Sequence, residues 1–241
     1  HKDRKEKDSL HERNRHRSGY DFRELVRVCP ALKSFVSVNR FGNESIDFAE
    51  PSAVTELNRA LLLSCYGLDW WEIQEGSLCP PVPGRADYIH RAADLLAESN
   101  GGAVPLGRSV RVLDIGTGAN LIYPVIGIHE YGWQFVGSEV DPVSMKAAEK
   151  IIAMNPLLKG AAEIRRQYSS GEIFKGIIKD DDFFDLTICM PDSPSLRRRG
   201  HRAALSGCAL SADSSANPAG LQGGGGDLSQ AGKARAVVEQ P

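Results

Sequence analysis

Short apolar runs alternate with helical stretches through the middle of the chain, and the pattern is clearest from Val110 to Asp141. Val110, Val112, Leu113 and Ile115 make an apolar strand that enters a glycine turn, Asp114-Ile-Gly-Thr-Gly118, and the turn opens a helix. A second apolar strand, Phe135 to Gly137, follows and ends on Glu139. Beyond it, Asp141-Pro142 predicts an N-cap and first turn for a helix through Met154, with Val143, Ala147, Ile151 and Met154 facing inward. Ala162 to Arg166 predicts a third strand closed by Gln167, and Phe183 to Cys189 a fourth. Strands and helices alternating at this spacing imply parallel pairing with right-handed crossovers, a Rossmann-like α/β sheet.

Ahead of that sheet the apolar spacing is helical. Phe22, Leu25, Val26 and Cys29 predict a short amphipathic helix from Asp21 that Pro30 ends. A second helix starts at Pro51, carries Val54, Leu57, Leu61 and Cys65 on one face and stops at Gly67. Between them, Phe35 to Phe48 predicts a hairpin around Gly42-Asn43, and the two helices form an accessory unit. In LCPPVPGRADYIH (78 to 90) the prolines stiffen a loop that presents Arg85 just before a helix carrying Tyr88, Ile89, Ala92, Leu95 and Leu96. From there Arg85 would either clamp a carboxylate or lie on the surface.

Composition refines the ends of the chain more than its middle. Charged residues make up 25% and hydrophobic ones 41%, which is ordinary for a globular protein. The net charge of −2 hides a basic start, because residues 1–17 hold seven Lys/Arg against four Asp/Glu. That segment is polar apart from Leu10 and is expected to be mobile. Its residues Arg13, Arg15 and Arg17 are either phosphate contacts or part of a solvated tail. From Gly200 to Pro241 more than half the residues are Gly, Ala or Ser, and no Phe, Trp or Tyr follows Phe184. Disorder is expected there, with only Val237 and Val238 hinting at a strand. The expected layout is a basic flexible segment (1–20), a helical accessory unit (21–77), a partial sheet domain (78–196) and a disordered tail (197–241).

No run of about 18 apolar residues occurs, so no membrane span or membrane partner is expected. The charged first residues lack an apolar signal core, which points to the cytoplasm, and the opening His1 leaves room for residues ahead of it. Five cysteines without a CxxC pair are expected to be reduced thiols, with no metal site.

Gly116 and Gly118 can take positive φ and let backbone N–H groups approach a ligand at a helix N-terminus. Glu139, about 20 residues beyond such a turn at the next strand's end, is placed to accept from ribose hydroxyls. A dinucleotide fold would prefer a third glycine where Leu121 or Ile122 stands, which disfavours an oxidoreductase. Asp114 before GxG points instead to S-adenosylmethionine, whose sulfonium and amino group are cationic. The plainer alternative is any βαβ turn with two glycines. Gln167 would read an adenine edge or serve only as a turn residue.

Several longer motifs now join these residues: ERNRHRSGYDF (12 to 22), SIDFAEPSAVTELNRALL (45 to 62), LCPPVPGRADYIH (78 to 90), DIGTGANLIYPVIGIHEYGW (114 to 133) and VGSEVDPVSMKAAEKII (136 to 152). Together they resemble the bacterial 23S ribosomal RNA large-subunit methyltransferases F, adenine methyltransferases related to eukaryotic enzymes that modify spliceosomal small nuclear RNA. The resemblance runs from about Leu10 to Cys189. It implies a class I S-adenosylmethionine-dependent methyltransferase fold, incomplete on its C-terminal side, that methylates the exocyclic amine of an adenine in 23S ribosomal RNA. It further implies that Arg85 holds the cofactor carboxylate, that Gly116, Gly118 and Asn120 line the methionine part, that Glu139 binds the ribose and that the basic N-terminal segment grips RNA.

The family carries Asn-Pro-Pro-Phe after its fourth strand, where the amide orients the target amine and the ring stacks on the flipped base. Here the catalytic positions read Met190-Pro191-Asp192-Ser193. Loss of the motif and of aromatic content at one point is what a reading-frame shift near codon 190 would produce, as would a divergent C-terminus. An active RNA methyltransferase and a cofactor- and RNA-binding remnant without turnover are therefore both carried forward.

Overall fold

The computed structural model describes residues 9–73, 79, 81–169, 172–189 and, for the backbone, 237–239. Helix α1 (Phe22–Val28) starts on Asp21, whose carboxylate accepts from the Arg23 and Glu24 N–H groups. Pro30 ends it as expected, and a 3-10 turn (Pro30–Phe35) follows. The expected hairpin is small: β1 (Ser37–Val38) pairs antiparallel with β2 (Glu44–Ser45). Helix α2 (Pro51–Tyr66) begins on its proline and ends at Gly67, which takes the left-handed conformation at φ 66°.

Helix α3 (Val82–Glu98) starts earlier than the sequence suggests. Proline is tolerated in a first helical turn, where its missing N–H is no loss, so Pro83 sits inside the first turn instead of delaying the helix. Arg85 consequently stands in the first turn of α3, not in a loop before it.

The five-stranded sheet is parallel throughout, in the order β5 (Ala162–Arg166), β4 (Gln134–Glu139), β3 (Arg111–Ile115), β6 (Leu186–Cys189) and β7 (Val237–Glu239). Helix α4 (Ile122–Tyr131) links β3 to β4, and α5 (Pro142–Met154) links β4 to β5. Side chains alternate along the strands as the pleat requires. Val112, Phe135, Leu186 and Ile188 enter one core with residues from α1 to α5, while Leu113, Ile115, Val136 and Cys189 enter a second under Ile173, Ile177, Ile178 and Phe184. Both faces are covered, which explains why these strands read as nearly continuous apolar runs. The first core also joins Phe22, Leu57 and Trp71 to the sheet, so the accessory helices and the sheet share it.

Four expectations change against these facts. The fourth strand begins at Leu186 because Asp185 is occupied at its foot, its carboxylate accepting from the Arg111 N–H and its own N–H donating to Arg111 O. The inward face of helix α5 is narrower than expected: Ile151 is buried as expected and Ala148 joins it, Ala147 is half-buried, and Val143 and Met154 are 50% and 48% exposed. Its C-terminal Asn155 fixes that face by accepting from the Asp69 and Trp70 N–H groups and donating to Trp70 O and Ile151 O. Within the tail expected to be disordered, Val237–Glu239 pairs with Thr187, Ile188 and Cys189, so the edge of β6 is covered there. Residues 190–236 and 240–241 lie outside the described residues.

The fourth change concerns the basic segment, whose residues 9–20 pack against the body instead of trailing from it. Asn14 and His16 are buried, with Asn14 Nδ2 donating to Pro83 O (2.9 Å) and His16 Nε2 bonded to the Tyr66 hydroxyl (2.7 Å). The backbone N–H of His11 donates to the Asp87 carboxylate on α3. A polar stretch can dock when each buried donor meets an acceptor, and here the acceptors come from distant helices.

Candidate cofactor site

The glycine turn is stitched to the neighbouring strand by the chain's own hydrogen bonds. Gly116 and Thr117 both donate their N–H to Ser138 O at 3.0 Å, and Gly116 and Gly118 take φ of 72° and 69°. Leu121, one of the two positions where a dinucleotide fold would prefer a third glycine, also has a left-handed backbone (φ 51°) while its side chain is fully buried. The turn keeps the conformation glycine would prefer, at a backbone cost of about 1 kcal/mol, and burial of the leucine offsets it.

Glu139 closes β4 within reach of this turn. Its Oε2 accepts from the Gly118 N–H (3.0 Å), and its Oε1 accepts from the Val140 and Asp141 N–H groups (2.8 and 2.9 Å). A carboxylate oxygen has two lone pairs, so Oε2 retains capacity for one hydroxyl donor while Oε1 is filled. Asp114 ends on the other side of the turn, 1% exposed. Burial pushes its carboxyl up to about 7, the Glu139 charge adds to the rise, and the Thr117 hydroxyl works against it. Its Oδ2 has no hydrogen-bond partner among the described residues. A buried carboxylate with one unpartnered oxygen beside a glycine turn suits a ligand that brings positive charge or a donor.

Arg85 reaches this region from α3, its guanidinium carbon 5.7 Å from the centroid of the Tyr123 ring. Tyr88, one turn further along α3, packs on Tyr123 at 5.1 Å. Both tyrosines are buried. In the sequence Tyr88 reads as a plain helix residue and Tyr123 carries no signal, because an aromatic at helical spacing looks like core. Asn120 is half-buried, and its carbonyl accepts from the Trp71 indole N–H (3.0 Å), anchoring the turn to the accessory region.

The structure gives Gln167 a different job from base reading. Its amide donates to Glu172 O, Ile173 O and Lys175 O, its side-chain oxygen accepts from the Ser169 N–H, and its backbone N–H donates to Glu139 O. It holds the segment that covers the second core. Met190 and Pro191 lie outside the described residues, but Cys189 before them stands in register with Ile115, the residue before Gly116.

The arginines proposed for phosphate contact are engaged internally. Arg13 donates to the Tyr131 hydroxyl (3.1 Å), His90 O (2.9 Å) and Asp94 (2.6 Å). Arg15 donates to Glu130 (2.8 Å) and Cys65 O (2.6 Å) and lies over the Tyr66 ring. Arg17 is half-buried. Replacing Arg13 and Arg15 together by alanine is expected to lower stability by about 1–2 kcal/mol, since two carbonyls lose donors and two partly exposed ion pairs are lost. A denaturant midpoint unmoved by the double substitution would show that the docking is energetically idle.

Gly137 offers a cleaner handle on the turn. A Cβ there would lie 2.8 Å from Thr117 Cγ2, 2.9 Å from Thr117 Cβ and 3.1 Å from Ile164 Cδ1. Thr117 belongs to the turn itself, so Gly137→Ala should push the turn outward, costing about 1–3 kcal/mol of stability and weakening any ligand the turn holds. Thermal melts and ligand titration of the variant check both effects, and an unshifted melting temperature would mean that the turn yields freely.

Among the described residues no group of three or more His, Cys, Asp or Glu is placed to hold a metal, and no helix is long and apolar enough to cross a membrane.

A parallel sheet in this order, with a glycine turn and paired acids at the carboxyl ends of its central strands, defines the Rossmann-like class I methyltransferase fold. A family model described as RNA methyltransferase matches residues 4–226, and the chain belongs to that family. The match extends past Cys189, beyond the motifs that carried the resemblance. Among curated relatives, the ribosomal RNA large subunit methyltransferase F of a Marinomonas strain is 56% identical over 76% of this chain and 56% of its own length. That of Serratia proteamaculans is 54% identical over 77% of this chain and 55% of its own. The chain thus spans little more than half the length of these relatives. Among solved structures, the N-terminal domain of human METTL16 in complex with SAH is 32% identical, with a TM-score of 0.65 over 76% of this chain and 69% of that one. The human Mettl16 catalytic domain in complex with a 3′UTR hairpin is 29% identical, with a TM-score of 0.61 over 79% and 66%.

Proposed function

We propose that this chain binds S-adenosylmethionine and acts on 23S ribosomal RNA, transferring a methyl group to the exocyclic amine of an adenine, in the cytoplasm. The observation that carries the cofactor reading is the joint geometry of Asp114, Gly116, Gly118 and Glu139 at the carboxyl ends of two neighbouring strands. The residues fit the cofactor chemically. Arg85 would take its carboxylate, and the positive-φ glycines and Asn120 would line its methionine part. Asp114, with an oxygen lacking a partner, would face its cationic end, and Glu139 Oε2 would accept one ribose hydroxyl. When bound, the cofactor supplies an electrophilic methyl group on sulfur.

For the RNA, Arg13 and Arg15 keep 34% and 37% of their side-chain surface in solvent and can meet phosphate from there, beside Arg17. The second reading, a module that binds cofactor and RNA without turnover, is favoured by one observation: Met190 and Ser193 stand where the resembled family has an amide and a ring.

The test of the cofactor reading is a titration with S-adenosylhomocysteine. Glu139→Ala should weaken binding roughly tenfold or more, the usual effect of losing a charge-assisted partner. An unchanged dissociation constant, with the fold intact by circular dichroism, would remove Glu139 from the site.

A further inference from the structure

Arg85 and Tyr88 are three residues apart on α3 and share one face of the helix. Tyr123 stands in the first turn of α4, the helix opened by the glycine turn. Three groups on two helices therefore meet beside the candidate cofactor site: the Arg85 guanidinium 5.7 Å from the Tyr123 ring, and the Tyr123 ring 5.1 Å from that of Tyr88 at a tilt of 46°. Tyr88 extends the contact to the sheet, because its phenol oxygen accepts the backbone N–H of Cys189 at the end of β6. Both rings are buried, and burial drives both phenols far above their usual value, so they stay protonated and neutral at any working pH. The guanidinium carbon lies 5.7 Å from the Tyr123 ring centroid, and from there the Arg85 charge and its hydrogen bond to Tyr123 pull the phenol the other way.

We infer that Tyr123 is a positioning residue for Arg85: its ring, braced by Tyr88, fixes the guanidinium at the orientation in which it meets the cofactor carboxylate. The inference rests on the reading of Arg85 as the carboxylate partner. A flexible arginine must surrender rotamer freedom to make a bidentate bond, and a guanidinium already held beside a buried ring and hydrogen-bonded to its phenol has surrendered much of it. The ring has a second effect. Because Tyr123 rides on the helix that starts at the glycine turn, Arg85 keeps step with the turn that holds the rest of the ligand. If the pair were core packing alone, its loss would lower the affinity for every ligand of the site alike.

The test compares two ligands on the full chain: S-adenosylhomocysteine, which has the aminoacyl carboxylate, and 5′-methylthioadenosine, which keeps adenosine and thioether without it. Tyr123→Leu should weaken S-adenosylhomocysteine about tenfold and change 5′-methylthioadenosine by less than about twofold. Tyr123→Phe, which keeps the ring and loses the hydrogen bond, should cost about threefold for the first ligand only. In an Arg85→Ala background neither Tyr123 substitution should change the ratio of the two affinities, because the group being positioned is gone. Equal losses for the two ligands, or a ratio still altered by Tyr123→Leu in Arg85→Ala, would overturn the inference. Should Tyr123→Leu fail to fold, the cycle of Tyr123→Phe with Arg85→Ala decides alone, and a threefold loss that persists without Arg85 overturns it. The two failures are distinct. If Arg85→Ala itself leaves the ratio untouched, the carboxylate reading falls and takes this inference with it; if Arg85→Ala alters the ratio and Tyr123 does not, only the inference falls.

Discussion

Asp114→Asn should make the cofactor-free protein more stable above neutral pH while weakening its hold on S-adenosylmethionine. The carboxyl is fully enclosed at the end of β3, and burial raises it to about 7, against an unfolded value of about 3.9. A group raised on folding contributes stability that is fully present below its unfolded value and is lost as pH climbs through its folded value. For Asp114 the loss therefore runs from about pH 4 to about pH 7, and above that window the folded chain carries a buried, partly unsatisfied negative charge. The full term is on the order of 4 kcal/mol. Asparagine has no charge to bury, so the difference in melting temperature between variant and parent should widen up to about pH 7 and then level off. Cofactor binding should show the opposite preference. A cationic ligand favours ionised Asp114, so the parent's affinity should tighten with rising pH across the same window, and the variant's should be weaker and flat. Melting curves from pH 5 to 8 beside S-adenosylmethionine titrations measure both, and parallel melting profiles would refute the buried-charge argument.

That trade-off sits in the part of the chain the sequence makes most visible. The strand, turn, helix and strand from Arg111 to Glu139 can be read because both sheet faces are buried, so apolar residues run unbroken until two glycines and two acids interrupt them. What stays hidden is set by distance along the chain. Arg13, Arg15 and His16 look solvated because the partners that hold them, Asp94, Tyr131, Glu130, Cys65 and Tyr66, lie from about 50 to 118 residues away. Tyr123 carries no signal of its own, since an aromatic on an apolar helix is indistinguishable from core until Arg85 is seen over its ring. On α5 the apolar periodicity finds Ile151 but also counts Val143 and Met154, which lie exposed, because Asn155, a polar residue it does not count, anchors the end of the helix. Gln167 illustrates the converse: a residue with the right chemistry at a strand end is spent on three loop carbonyls.

Methyl transfer by the chain as it stands should be at least about 100-fold below that of a variant in which Met190→Asn, Asp192→Pro and Ser193→Phe rebuild the family's Asn-Pro-Pro-Phe around Pro191. A target amine must be oriented so that its lone pair faces the methyl group, and a thioether is too weak an acceptor to replace an amide. Stacking of the flipped base on an aromatic ring is worth about 1–3 kcal/mol, and serine supplies none of it. The repair should act because its supports are formed. Cys189 stands opposite Ile115 at the mouth of the glycine turn, Tyr88 holds the Cys189 N–H, and β7 pairs the strand that an exposed edge would leave unsupported. Cofactor affinity should change little, since the three substitutions leave Arg85, Asp114 and Glu139 as they are. The measurement is incorporation of labelled methyl into ribosomal RNA lacking the modification, for the parent chain and the triple variant, with S-adenosylhomocysteine titrations of both. Robust turnover by the parent would show that Met190 to Ser193 form a working alternative. An inert triple variant that still binds cofactor would mean that the deficit lies in RNA placement instead of in the orientation of the amine.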